Sequence, residues 1–308
     1  MYPEILRIGD FVITSFGVMM FLSFITAAFF TGRQLQRYGL PKDYAWDMLA
    51  WCALGGIAGA KIYYLALHWQ ALVANPLAEI LSRGGLVWYG GLIGGIVAYW
   101  LQVRARKLPM ATMYDATAPA LAIAYAVGRL GCFLVGDDYG RYTDGPFGIA
   151  FPEGAPPSTA GILRSMGETV PAHIADATVV PVHPTQLYEI GLALIMFGIL
   201  WRLGTNRGFR TGQLFAVYMV LYGLERFVIE FVRAKSDRIA ILGVGLSTSQ
   251  LMSVLLVAFG AWLFFRRRAV GAPAPLVDGP SAEAGAPAPA TAPGTVASRG
   301  SRRERRRR

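Results

Sequence analysis

The chain is patterned as long apolar runs separated by short polar stretches. Runs long enough to cross ~30 Å of hydrocarbon, about 20 residues each, fall near 11 to 31, 44 to 67, 85 to 102, 113 to 135, 185 to 202, 212 to 232 and 246 to 265. In lipid only a segment that satisfies its own backbone hydrogen bonds is stable, so each run is expected to be a helix. The predicted fold class is an all-α integral membrane protein of seven transmembrane helices. The first run lacks a basic stretch before it and continues past any small-residue cleavage site, so it is expected to be retained. Residues 136 to 184 form the longest stretch between runs, and DDYGRYTDGPFGIAFPEGAPPSTAG is dense in turn-forming Gly and Pro. An ordered extracytoplasmic loop or small cap is expected there, and long ordered loops are usually functional.

Small residues recur four apart in the second and third runs: Gly55 with Gly59, Gly56 with Ala60, Gly90 with Gly94, Gly91 with Gly95. Such pairs let backbones approach where helices gain nothing from the hydrophobic effect. WYGGLIGG, residues 88 to 95, also has the openness to admit a lipid headgroup. No internal repeat is visible, which argues against the pseudo-symmetric halves of many transporters.

Charge sets the orientation. Arg33, Arg37 and Lys42 follow the first run, Arg104, Arg106 and Lys107 the third, Arg202, Arg207 and Arg210 the fifth, and Arg266, Arg267 and Arg268 the seventh. All four clusters lie on one side, so the N-terminus is expected outside and the C-terminus in the cytoplasm. The composition, 54% hydrophobic and 16% charged, excludes an ordinary soluble domain. The net charge of +10 is spread over these flanks and a tail ending RRERRRR, so topology and anionic lipid explain it without a nucleic-acid partner. From Ala269 the chain turns to Ala, Pro, Gly and Ser, which bury too little apolar surface to fold. The expected division is a membrane domain, 1 to 268, and a disordered basic tail, 269 to 308. Cys52 and Cys132 are expected to be free thiols in apolar segments. His68, His173 and His183 show no ligand spacing, so no metal site and no cofactor are expected.

Polar residues inside the apolar runs carry the candidate chemistry. Tyr222, Arg226, Glu230 and Arg233 fall within about 80° of one another at 100° per residue, one polar stripe on the sixth helix. An intramembrane charge costs at least ~2.5 kcal/mol, which makes a row of them a functional-site hypothesis. A structural ion pair of Arg226 with Glu230 is the plainer alternative. Arg129 stands in AVGRLGCFLVGDD after a dozen uncharged residues. Its planar fork of donors requires an anion: Asp137, Glu189, Glu230 or a lipid phosphate. In HPTQLYE, residues 183 to 189, Gln186 and Glu189 share a helix face, and His183 can cap, bind a ligand or act as a base.

GGLIG, GRLGCFLVGDDYG, HPTQLYE and YGLERFVIEFVR, in this order and at matching places in seven spans, resemble the motifs of the bacterial prolipoprotein diacylglyceryl transferases. The likeness covers roughly residues 5 to 265. It implies transfer of a diacylglyceryl group from phosphatidylglycerol to the lipobox cysteine of a prolipoprotein, releasing glycerol 1-phosphate, by a monomer surrounded by membrane lipid. By position it implies that Arg129 binds the phosphatidylglycerol and that Arg226 is a second essential arginine. Glu230 and Tyr222 match further active-site positions, Asp137 stands for a glutamate, and Gly140 matches a glycine. Arg233, Gln186 and Glu189 join the substrate-binding set. Three departures bear on the chemistry: Tyr89 where a histidine is common, Cys132 where asparagine is common, and Phe16 where tyrosine is common. The general base therefore stays open among Tyr89, His183, Glu189 and Glu230. Two rival readings remain: a non-enzymatic lipid or anion transporter, in which buried arginines are equally natural, and a family member with another acceptor.

Overall fold

The computed structural model describes residues 3–8, 11–82, 85, 87–206, 208–234, 238–241 and 244–277. A hairpin of β1 (Glu4–Ile8) and β2 (Phe11–Thr14) leads into α1 (Ser15–Arg37), α2 (Asp43–Leu67), the short α3 (Trp69–Ala74) and α4 (Pro76–Leu81), α5 (Trp88–Ala105) and α6 (Met110–Val135). Next come β3 (Ile149–Ala150), α7 (Ala160–Ser165) and β4 (Pro181–Val182), followed by α8 (Thr185–Leu203) and α9 (Gln213–Ile229). A second hairpin, β5 (Arg238–Ile241) with β6 (Val244–Ser247), enters α10 (Thr248–Val270). The protein is mostly helical, and the six strands form three two-stranded sheets.

Every expected run contains a helix, with corrected ends. The first begins at Ser15, not near residue 11, because Phe11–Thr14 pairs with β1 and the Thr14 hydroxyl accepts the Gly17 N–H as an N-cap. The last begins behind a capping box of Ser247 and Gln250. α9 has no cap from its own sequence. Asp115 of α6 supplies one, its carboxylate accepting the N–H groups of Gly212 at 2.6 Å and Phe215 at 2.8 Å. α9 also stops at Ile229, short of 232. Beyond that end the Val232 carbonyl accepts the Arg141 N–H at 2.9 Å.

Five helices, α1, α2, α6, α8 and α10, are long and apolar enough to cross a membrane. Large apolar side chains such as Leu54, Ile57, Ile62, Ile93 and Ile195 stand outward. In water such an apolar exterior would be untenable, and the chain is a multi-pass membrane protein.

The helices pack mainly as pairs, α2 with α5, α1 with α6 and α9 with α10, with α8 against α6. The glycine face predicted between the second and third runs is the α2–α5 seam. A Cβ at Gly59 would lie 2.3 Å from the Gly90 carbonyl oxygen, and one at Gly94 only 2.2 Å from that of Gly55. The alternate face is looser, with 3.5 Å from Gly56 to Gly91.

The two ends of the bundle differ in chemistry. At one end Arg37 of α1 stacks 3.8 Å over the Trp201 ring of α8, Arg106 pairs with Asp47 at 2.8 Å, and Arg210 donates to the Gly271 carbonyl. The basic loops thus share one end, although Arg207 lies outside the described residues. The boundary expected at residue 269 falls inside α10. Beyond Val270 the chain crosses the basic end: Thr211 donates to Ala272, Ala274 to Phe209 and Val277 to Arg37, while Ala274 and Leu276 pack on Leu35, Tyr38 and Met113. Residues 278–308, the rest of the expected tail, lie outside the described residues.

At the other end, residues 136 to 184 fold around a small core of Tyr139, Phe151, Ala160, Leu163, Val170, Val180 and Val182. The Ser158 hydroxyl accepts from Phe151 N–H and donates to the Val180 carbonyl, tying the two arms of this loop together.

Candidate active site

Three arginines from separate places in the sequence converge beneath this loop. Arg129 projects from the last turns of α6 and Arg226 from the last turn of α9, whereas Arg233 lies four residues beyond α9. All three meet Glu189 on the second turn of α8, a carboxylate with 0% exposure. Arg129 Nε lies 3.0 Å from Glu189 Oε2, and Arg226 Nη1 and Arg233 Nη1 lie 3.4 and 3.7 Å from Oε1. The Tyr125 hydroxyl, one helical turn before Arg129, donates to the same Oε1 at 3.0 Å. Arg226 also reaches Glu230 at 3.2 Å and donates to the Ser249 hydroxyl at 3.4 Å.

Asp138 closes the ring from the loop, pairing with Arg129 at 3.0 Å and with Arg233. It is placed by the backbone. Gly136 ends α6 in the left-handed region, and Asp138 itself has φ 56°, a conformation that aspartate tolerates better than most residues. Burial alone would raise the Asp138 carboxyl, but the guanidiniums of Arg233 and Arg129 hold it below the ordinary carboxylate range. Burial pushes its neighbour Asp137 upward. Gln186, fully buried, donates to the Asp137 carbonyl and fixes this turn on α8.

Gly140 makes the closure possible. A Cβ there would stand 2.3 Å from the Val232 carbonyl oxygen and 2.8 Å from the Thr185 methyl. Its N–H donates to the His183 carbonyl at 2.8 Å, and Gly140 bridges Arg233 in antiparallel fashion. Tyr222 stands edge-on to Tyr125 at 5.6 Å, behind the cluster.

Among the predicted residues, Arg129, Arg226, Arg233, Glu189 and Glu230 are brought into one cluster, with Tyr222, Gln186, Gly140 and Asp137 around it. Two base candidates fall elsewhere. His183 uses its backbone to hold residues 140 and 141, and its Nδ1 lies 3.3 Å from the Tyr188 hydroxyl. Tyr89 stands on α5, which packs on α2, with 65% of its surface exposed. Asp138, Glu189 and Glu230 equal the three guanidiniums in number, and each pairs with at least one of them. Sequence reasoning passed over Asp138, Tyr125 and Glu225. Tyr125 had a signal, its i, i+4 spacing to Arg129, over whose ring the guanidinium lies at 5.2 Å. The donor atoms of Cys132, Asp137 and Asp138 lie within 4.8 Å of one another. Two guanidiniums already hold Asp138, however, a setting unsuited to a cation. Cys52 and Cys132 are both free thiols.

The model of the family described as prolipoprotein diacylglyceryl transferase matches residues 3–266. The chain belongs to that family. Proteins named phosphatidylglycerol–prolipoprotein diacylglyceryl transferase resemble it closely in length. That of Bordetella parapertussis is 32% identical over 275 residues, covering 85% of this chain and 95% of the relative. That of Stenotrophomonas maltophilia is 33% identical over 277 residues, covering 86% and 92%. The Geobacter sulfurreducens protein is 32% identical over 276 residues, covering 87% and 97%. Membership in the diacylglyceryl transferase family fits a buried, arginine-rich cluster at one end of a membrane bundle, and the match stops before the basic tail.

Proposed function

We propose that the arginine–carboxylate cluster transfers the diacylglyceryl group of phosphatidylglycerol to the lipobox cysteine thiol of a prolipoprotein, forming a thioether and releasing glycerol 1-phosphate. The observation that carries this reading is the convergence of Arg129, Arg226 and Arg233 on the buried Glu189. Each guanidinium has five donors in a rigid fork, so a phosphodiester entering beside Glu189 has arginine donors to take up. Arg233 Nη1, Gln186 Oε1 and Asp137 Oδ1 are buried without a hydrogen-bond partner among the described residues, which leaves polar capacity for a headgroup.

The reaction breaks the bond between the glyceryl carbon and its phosphate oxygen as the thiol sulfur bonds that carbon. Charge grows on the departing phosphate, where arginines fixed in advance stabilise it most. Gln186 and Gly140 hold the 137–140 turn over the site, and Tyr222 supports Tyr125 from behind. Tyr89, exposed on α5 outside the cluster, orients headgroup or thiol.

The same reading assigns the membrane topology. Seven helices cross the inner membrane of a bacterium, α5 and α9 joining the five longer ones, with the basic end cytoplasmic and residues 136 to 184 forming an extracytoplasmic cap. Residues 1 to 268 form the catalytic domain, and the basic tail follows in the cytoplasm. The protein works as a monomer. The test is reconstitution of the purified protein in phosphatidylglycerol nanodiscs with a lipobox peptide. A mass gain of one diacylglyceryl group on the cysteine is expected. Lipid movement without any thioether would replace this reading by that of a transporter.

A further inference from the structure

Among the described residues, five carboxyl groups stand in or against the arginine cluster, and they are not equivalent. Asp138, Glu189 and Glu230 are each tied to at least one arginine. Asp137 belongs to the turn that closes over the cluster and already has a place in headgroup binding. Glu225 is different. It sits inside α9 immediately before Arg226, only 7% exposed, and neither of its oxygens has a hydrogen-bond partner or an ion pair among the described residues. A buried carboxyl is ordinarily paired, so one left open beside an arginine cluster calls for a role.

Its surroundings are specific. From α6 Tyr125 and Arg129 face it, from α8 Glu189, and from its own helix Tyr218, Tyr222 and Arg226. α10, packed on the other side, carries titratable residues only at its far end, Arg266 to Arg268. The Tyr125 hydroxyl gives its hydrogen bond to Glu189 at 3.0 Å and stands close enough to act on Glu225 as well, so the two carboxyls share one donor and neither oxygen of Glu225 has a donor of its own.

We infer that Glu225 is the catalytic group that carries the proton from the substrate thiol to the departing phosphate. The proposal rests on the diacylglyceryl-transfer reading given above. A proton added to Glu189, Glu230 or Asp138 would loosen an arginine that has to hold phosphate, whereas Glu225 takes one up and gives it back without breaking an ion pair. In the step itself the S–H bond breaks and its proton passes to a Glu225 oxygen. The sulfur electron pair forms the bond to the glyceryl carbon. The C–O bond breaks, its electron pair stays on the phosphate oxygen, and the proton follows from Glu225 to that phosphate. No other reactant is consumed, and Glu225 ends as it began.

The experiment compares unaltered protein, Glu225→Gln and Glu225→Asp in phosphatidylglycerol nanodiscs with a lipobox peptide. Thioether is measured by mass, from pH 5 to 9, with kcat and the KM for phospholipid determined separately. Glu225→Gln is expected to lower kcat by ~100-fold or more, the usual worth of a positioned acid–base group. Its KM should stay within about threefold, and one limb of the pH profile should disappear; Glu225→Asp should keep about a tenth of the rate with a displaced limb. Turnover of Glu225→Gln within about threefold of the unaltered protein, or an unchanged pH profile, overturns the proposal. If the glutamine variant does not fold, the aspartate variant decides, and an undisplaced limb overturns the proposal equally. Failure of the unaltered protein to form thioether overturns the transfer reading itself, a result distinct from normal transfer by Glu225→Gln.

Discussion

At the scale of single residues, the geometry of the cluster separates charge from shape. Arg129 makes two contacts in different directions, Nε to Glu189 and Nη1 to Asp138, which lysine's single ammonium has no means of reproducing. Arg129→Lys and Arg226→Lys are each expected to lose ~10²- to 10³-fold in turnover, the cost of one preorganised donor at an anion-stabilising site. Wild-type rates in either variant, by the nanodisc assay, would refute the clamp. Gly140 offers a test with no charge in it. Its absent Cβ leaves room for the Val232 carbonyl, so Gly140→Ala forces apart the turn and the segment that carries Arg233. Overpacking of this kind costs about 1–3 kcal/mol, to be seen as a lower midpoint of thermal unfolding together with lost activity. Asp138 gives a pH dependence. Its folded carboxyl titrates below its unfolded value, so its contribution to holding the loop is fully present above pH ~3.9 and is lost as pH falls through the lower, folded value. Proteolysis of the 136–184 loop should therefore speed up below that range, and Asp138→Asn should be equally sensitive at all pH values.

At the scale of elements, the α2–α5 seam shows what small residues do in lipid. Gly59 and Gly94 face backbone carbonyls at distances no Cβ tolerates, while Gly56 has 3.5 Å of clearance. Gly59→Val should separate the two helices and lower thermal stability in detergent, whereas Gly56→Ala should leave it nearly unchanged. Equal effects of the two would contradict the packing. This seam was legible in the sequence because spacing of four is a local property of one helix. The positions of Arg129, Arg226 and Glu189 were legible for a related reason: a charge in an apolar run stands out wherever its partner lies. Asp138 was not, because Asp137 and Asp138 are equivalent in sequence and only the left-handed turn at Gly136 and Asp138 decides which faces the arginines. The end of α9 was hidden too. The apolar pattern continues to residue 232, but the helix ends at Ile229, and beyond it the Val232 carbonyl accepts from Arg141, far away in sequence. Glu225 escaped notice beside Arg226 because a helix wheel gives direction without depth, and an unpaired state is a property of the assembled neighbours.

At the scale of the whole molecule, the basic end and the arginine cluster stand at opposite poles, and the C-terminal chain is tied to the basic one. Composition placed a boundary at Ala269, yet residues 271–277 lie across the ends of α1, α6 and α9, with backbone hydrogen bonds to Phe209, Thr211 and Arg37. A segment poor in apolar residues holds there because its few, Ala274 and Leu276, enter a core the bundle already provides. Two truncations should therefore behave differently. Removal of residues 278–308 should leave both stability and the rate of thioether formation within a few-fold of the full chain, since the described chain runs out at Val277, bonded to Arg37 at the end away from the cluster. Removal from Gly271 onward should expose Leu35, Tyr38 and Met113 and strip the Thr211 and Val277 hydrogen bonds, lowering the thermal midpoint in detergent. Because the strap joins α1 to α9, the shorter chain should also lose activity at a temperature where the longer one retains it. Equal midpoints for the two truncations would mean that residues 271–277 add nothing to the bundle. Loss of activity on removing 278–308 alone, with the midpoint unchanged, would give the arginine-rich terminus a role in the reaction that the cluster does not explain.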